Sequence, residues 1–189
     1  MTQDETPLFF SAESAVRWAL SDQRVALQQS SIYRSPGSGR GLAGFDGAAQ
    51  AGMIMAHVQR LDWPAHPLLV AQATAVRLPC GCRRDCCSGW RSNAVWTEAV
   101  SHVAEWWLKT QDPGCRRPRL VIGCLRRFFG EHISLEAIGK RNGVSKAAAV
   151  ELNGAVVKPL KPIKESAWRE IEDKLMSVGI VEDKRPMAA

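Results

Sequence analysis

Between positions 80 and 90 the chain reads Cys80-Gly81-Cys82-Arg83-Arg84-Asp85-Cys86-Cys87-Ser88-Gly89-Trp90, four thiols within eight residues. Thiols at that density suit Zn²⁺, which in structural sites takes four tetrahedral ligands at about 2.3 Å, with neighbouring glycines letting the chain fold round the ion. The spacing is unusual, because Cys-x-Cys and an adjacent Cys-Cys replace paired Cys-x-x-Cys knuckles. Strain therefore argues for a modified set. One of Cys86 and Cys87 would turn away, and Cys115, His102 or His66 would complete the shell. Two other readings stay open: a reduced, partly buried turn, and a redox thiol activated by Arg83 or Arg84, for which nothing supplies a substrate pocket. Cys124 lies in an apolar run and reads as a small core residue.

Catalysis has less support. The four histidines, His57, His66, His102 and His132, fall in separate segments and form no Ser/His/Asp, Cys/His or His-Glu-x-x-His arrangement. No local set of carboxylates resembles a Mg²⁺-holding nuclease centre. The expectation is a protein that is not an enzyme, with no catalytic residues.

The second informative run is Ile138-Gly139-Lys140-Arg141-Asn142-Gly143-Val144-Ser145-Lys146-Ala147-Ala148-Ala149-Val150-Glu151-Leu152, which reads as a helix-turn-helix. Ile138 anchors a first helix and Gly139 permits close helix approach. Gly143 sits where the turn needs a left-handed backbone, and Val144 plugs the turn into the core. Ser145 is placed to cap the second helix, with Ala149 and Leu152 facing inward. Lys146, Ala147, Val150 and Asn153 are then free to point outward. Charge coincides with this segment. From Arg116 to Lys164 eleven basic residues face three acidic ones, a net +8 in a chain whose formal charge is +6. A phosphate-binding surface requires such a field, and a solvated basic face is the plainer alternative.

These residues need elements to hold them. Ser11 to about Gln28 reads as a helix capped by Ser11, with Ala15, Trp18, Ala19 and Val25 as its apolar stripe. Ser30 to Gly44, centred on Ser35-Pro36-Gly37-Ser38-Gly39-Arg40-Gly41, is a linker by composition. It lacks the Lys-Ser/Thr pair that a phosphate loop would need. Asp46 would cap a helix running to about Leu61, in which Met53, Ile54 and Met55 are core filler. Trp63-Pro64 would start another that stops at Pro79. Asn93 would cap a helix carrying Trp106 and Trp107, which as neighbours cannot share one face. Arg119 to about Phe129 forms a further helix ended by Gly130. The helix-turn-helix pair spans Ser134 to Asn142 and Ser145 to about Val157, after which the Lys158-Pro159-Leu160-Lys161-Pro162 segment is a stop. A last helix from Ile163 to Ser177 aligns Trp168, Ile171, Leu175 and Val178 in a stripe expected to pack under the helix-turn-helix. No segment alternates at a period of two.

The expected fold class is therefore all-α, a helical domain with a cysteine-rich knuckle and a C-terminal helix-turn-helix. The boundaries are 1–45 for an N-terminal helix and linker, 46–130 for a helical body with the knuckle at 80–90, 131–181 for the DNA-binding region, and 182–189 for a tail. No stretch reaches the roughly 18 to 20 apolar residues of a membrane span, and the start Met1-Thr2-Gln3-Asp4-Glu5 is acidic where a secretory signal is basic. A cytoplasmic, nucleoid-associated protein is the expectation.

The helix-turn-helix, the four-cysteine knuckle, the tryptophan-bearing helix after it and the basic C-terminal third together resemble the phage Q-type transcription antitermination factors, among them the bacterial lysis-programme antiterminators. The resemblance rests mainly on Gly44 to Val181. It implies a factor that binds a DNA element overlapping a promoter, engages RNA polymerase holoenzyme paused just downstream, and travels with it at the RNA exit channel, where terminator hairpins would otherwise form. It carries a DNA-reading role onto Ser145, Lys146, Ala147 and Val150, and a metal role onto Cys80, Cys82, Cys86 and Cys87. Lys140, Arg141 and Lys146 would neutralise phosphates of double-stranded DNA. Nascent RNA would meet basic surface, for which Arg116, Arg117 and Arg119, or Arg34 and Arg40, are candidates. A repressor or activator acting only at its operator is the alternative.

Overall fold

The computed structural model describes residues 9–28, 45–82 and 88–182, and at 22–28 and 45–46 the backbone alone. The expected linker with Arg34 and Arg40, Cys86 and Cys87, and the terminal tail fall outside the described residues. Helices dominate: α1 (Ala12–Gln28), α2 (Phe45–Gln59), α3 (Ala65–Ala73), α4 (Ala94–Thr110), α5 (Pro118–Phe128), α6 (Leu135–Arg141), α7 (Lys146–Val157) and α8 (Leu160–Ser177). The all-α expectation holds at that level. It missed one feature, a short antiparallel ribbon of β1 (Arg77–Pro79) and β2 (Trp90–Ser92), paired Arg77 to Ser92, Leu78 to Arg91 and Pro79 to Trp90. Strands of three residues are too short to display a period of two.

The chain divides into two compact units. One contains α1, α2 and α8 from Ser166 onward; the other runs from Asp62 to Glu165. This division is discontinuous in sequence.

In the first unit Ser11 caps α1, its Oγ accepting from the Ser14 amide at 3.2 Å. Asp46 is the second residue of α2 and not the residue before it. Ala15, Val16 and Ala19 of α1 and Ile54 and Val58 of α2 are fully buried, while Met53 is 49% exposed, so only Ile54 and Met55 of the expected trio are core. The unit's two chain segments are joined by a parallel bridge between Phe9 and Val181, in which the Phe9 amide donates to Ile180 at 3.2 Å and the Glu182 amide to Phe9 at 3.0 Å. Ala167, Ile171 and Leu175 are buried here. The α8 stripe from Ala167 to Leu175 belongs to this unit, and Val178 is exposed. Helix α8 also begins at Leu160, three residues early, because Pro162 falls in the first turn, where a missing amide hydrogen costs no helical bond.

In the second unit Asn93 is completely buried and works in two directions. Its Oδ1 accepts from the Val95 and Trp96 amides to cap α4, and its Nδ2 donates to the Ala75 carbonyl at 2.6 Å, which fixes the ribbon to the helix start. Trp96 is buried, donates from Nε1 to Phe129 at 3.2 Å, and carries the Arg126 guanidinium 5.5 Å from its ring centre. The end of α5 is thereby held against α4. Trp107 is buried and Trp106 half-buried.

Candidate nucleic-acid interface

Helices α6 and α7 are joined by the four residues Asn142 to Ser145. Each helix is opened by a serine: Ser134 Oγ accepts from the Ala137 amide at 3.1 Å and Ser145 Oγ from the Ala148 amide at 3.2 Å. Such caps satisfy amides that have no partner inside the helix. The turn reverses at Gly143, whose φ of +65° favours glycine. It is then pinned by the Val144 amide donating to the Gly139 carbonyl at 3.0 Å and by Asn142 Nδ2 donating to Ile138 at 2.8 Å. Gly139 is where the helices touch. A Cβ there would stand 3.0 Å from the Val144 oxygen, 3.3 Å from the Ser145 oxygen and 3.4 Å from the Ala149 Cβ.

The support under this pair is α5. Leu120, Ile138 and Ala149 form one buried cluster, lined by Ile133, Leu135, Val144 and Leu152. Gly123 of α5 faces Ile138, whose Cγ2 would lie 3.0 Å from a Cβ placed there. Arg127 Nη1 donates to the Ile133 carbonyl at 2.7 Å and holds the connection between α5 and α6.

With Ala149 and Val156 buried, α7 turns Ala147, Val150, Glu151 and Gly154 outward, as the 100° step between residues requires. Lys146 is exposed on the flank of that face, its Nζ 3.8 Å from Glu136 Oε2; both side chains are about two-thirds or more exposed, so the pair is weak. Asn153, expected to point outward, is half-buried and lines a cleft with Arg127, Phe128 and His132. Lys140, Arg141 and Ser145 are exposed. Two residues on the outer face escaped the sequence reading, Glu151 and Gly154, although they follow Ala147 at the helical spacings of four and seven. Gly154 adds no side chain to this face, and a Cβ there would meet nothing within 4 Å.

Beside α6 the structure assembles a basic cleft of about 290 Å³ that the sequence does not announce. Arg119, Arg126 and Arg141 line it with Asn142, Ile122 and Glu131. Glu131 is already paired with Arg126, at 2.5 Å from Nε and 3.2 Å from Nη2, and Arg119 and Arg141 enter no ion pair among the described residues. Arg119, expected with Arg116 and Arg117 on an RNA-facing loop, thus belongs with Arg141; Arg116 and Arg117 are exposed ahead of α5.

Cys80, Cys115 and Cys124 are free thiols. Cys80 is half-buried and Cys82 exposed, and the Cys80 amide donates to Gly89 at 2.8 Å, closing the ribbon below the cysteine loop. Cys124 is buried, and burial pushes its thiol up to about 11, which leaves it a protonated core residue. His66 and His102 lie near each other on α3 and α4, with the Trp63 ring 5.3 Å from His102. Burial foremost, and then the His102 charge, hold His66 below its usual value. Among the described residues no group of three or more His, Cys, Asp or Glu is arranged to hold a metal ion, and no helix is long and apolar enough to cross a membrane.

No protein-family model, curated protein sequence or solved structure matches this chain.

Proposed function

We propose that the chain is a DNA-binding transcription antitermination factor in which α6 and α7 act as a helix-turn-helix and α7 enters the major groove. The observation that carries the DNA-binding part is the turn itself. Close contact at Gly139, the left-handed Gly143 and the Ser145 cap leave the amino-terminal end of α7 exposed beside Lys140, Arg141, Lys146 and the Arg119–Arg141 cleft. Lysines and arginines at that end neutralise phosphates and set the register of the helix on the duplex. The outer face of α7 offers a thymine methyl only Ala147 and Val150, and a cytosine amino group only Glu151, so direct base reading is sparse. Specificity that the helix does not supply then comes from a second partner, RNA polymerase holoenzyme. Loading beside a promoter and readthrough of terminators at the RNA exit channel rest on the likeness to Q-type factors.

A structural Zn²⁺ in the cysteine loop belongs to the same proposal. Cys80 and Cys82 stand where the ribbon closes and Cys86 and Cys87 follow in sequence, so one ion would tie the loop's ends.

Transcription in vitro from a promoter carrying the cognate element, through a terminator placed far downstream, tests the proposal. Readthrough that persists with distance is expected. Promoter-proximal repression or activation with normal termination would show an operator-bound regulator instead.

A further inference from the structure

The second unit holds a cleft that α7 does not use. It has a volume of about 400 Å³, within the roughly 300–1,000 Å³ range of small-ligand sites, and is lined by Val76, Arg77, Trp90, Gly130, Glu131 and His132. One wall is the ribbon. Pairing of Pro79 with Trp90 and of Arg77 with Ser92 puts Arg77 and Trp90 on the same ribbon face, diagonal to each other. The other wall is the segment that leaves α5, drawn against the ribbon where a Cβ on Gly130 would come 3.8 Å from Val76 Cγ2.

Two features define what this cleft can take. Trp90 is 55% exposed, so an indole ring is presented to solvent and not used to fill the core. The carboxylate lining the cleft, that of Glu131, is consumed by the two-pronged pair with Arg126, and Arg77 is exposed and enters no ion pair among the described residues. The cleft therefore combines an open aromatic platform with one uncompensated guanidinium. That combination matches a flat ring attached to a phosphate. A bound peptide would need a longer strand edge than three residues per strand offers.

We propose that this cleft is a stacking site for a base of single-stranded nucleic acid, with Trp90 as the platform and Arg77 holding the adjoining phosphate. Stacking on an aromatic side chain is sequence-tolerant, because every base has a π face. The site goes beyond the duplex reading of α7, gives an emerging transcript a foothold next to the DNA-binding helices of the same unit, and stands on different residues.

The full-length chain is titrated against a fluorescein-labelled oligouridylate of about 12 nucleotides at low salt, followed by anisotropy. Trp90→Ala is expected to weaken binding about 5- to 150-fold, the effect of losing one stacked base. Trp90→Phe keeps affinity within a few-fold, and Arg77→Ala lowers the salt slope by about 0.7. An abasic strand of equal length binds wild type and Trp90→Ala alike, and duplex affinity is unchanged by Trp90→Ala. Since Trp90 is exposed, the thermal midpoint of Trp90→Ala stays at the wild-type value. Failure of the wild type to bind the oligouridylate, equal affinity of Trp90→Ala, or an equal loss on the abasic strand each overturns the stacking site. A chain that binds the single strand but no duplex refutes the α7 reading alone.

Discussion

Replacing Gly139 by alanine tests the turn on which the functional reading depends. The added methyl would lie 3.0 Å from the Val144 oxygen and 3.3 Å from the Ser145 oxygen, both backbone atoms. The Ser145 oxygen already accepts from Ala149 at 3.1 Å, and Val144 is bonded through its amide to Gly139 itself, so neither can retreat without loosening the start of α7 or the turn. Overpacking of this kind costs about 1–3 kcal/mol. Alanine's better helix propensity returns about 0.5–1 kcal/mol. The net destabilisation is about 0–2.5 kcal/mol, which in a chain of this length is a fall in melting temperature of up to roughly 10 °C. Gly154→Ala is the control, because the same methyl there meets nothing within 4 Å and should raise stability by about 0.5–1 kcal/mol. Circular dichroism melts and urea midpoints of both variants measure the difference. If Gly139→Ala gains as much as Gly154→Ala, the two helices do not meet at Gly139 and the turn geometry is wrong.

Further expectations can be checked separately. Lys146→Ala should reduce the slope of log affinity for duplex DNA against log salt by about 0.9, the loss of one phosphate contact, with stability nearly unchanged because its pair with Glu136 is solvent-exposed; an unaltered slope would place α7 away from DNA. His66, held low by burial and then by His102, binds fewer protons folded than unfolded, so stability should be full above about pH 6.5 and fall as pH drops toward its lowered folded value. His66→Gln should flatten that fall, and an identical pH profile of thermal midpoints would refute the assignment. Metal analysis of the purified chain should give about one zinc per molecule, released on chelation. A ratio near zero with six reactive thiols in denaturant removes the site.

Local chemistry made much of the second unit legible. Ser134 and Ser145 stand one residue before helices they cap, Asn93 does the same for α4, and Gly143 has the positive φ its place in the run demands. Caps and left-handed turns are decided within a few residues, so sequence spacing suffices to find them. The inward positions Ile138 and Ala149 followed from helical periodicity in the same way.

What the sequence could not fix is which surfaces meet. Trp168, Ile171, Leu175 and Val178 are an apolar stripe at helical spacing, but periodicity says only that a helix has an inner side and not what covers it. The structure gives the role under α6 and α7 to α5 and assigns the far half of α8 to the other unit. The cleft joining Arg119 to Arg141, and the one joining Trp90 and Arg77 to His132, gather residues from segments tens of positions apart. Side chains so distant become neighbours only when the long-range packing of helices and ribbon is complete, and the pairing of Arg126 with Glu131, which lines both clefts, is likewise set by where the end of α5 comes to rest.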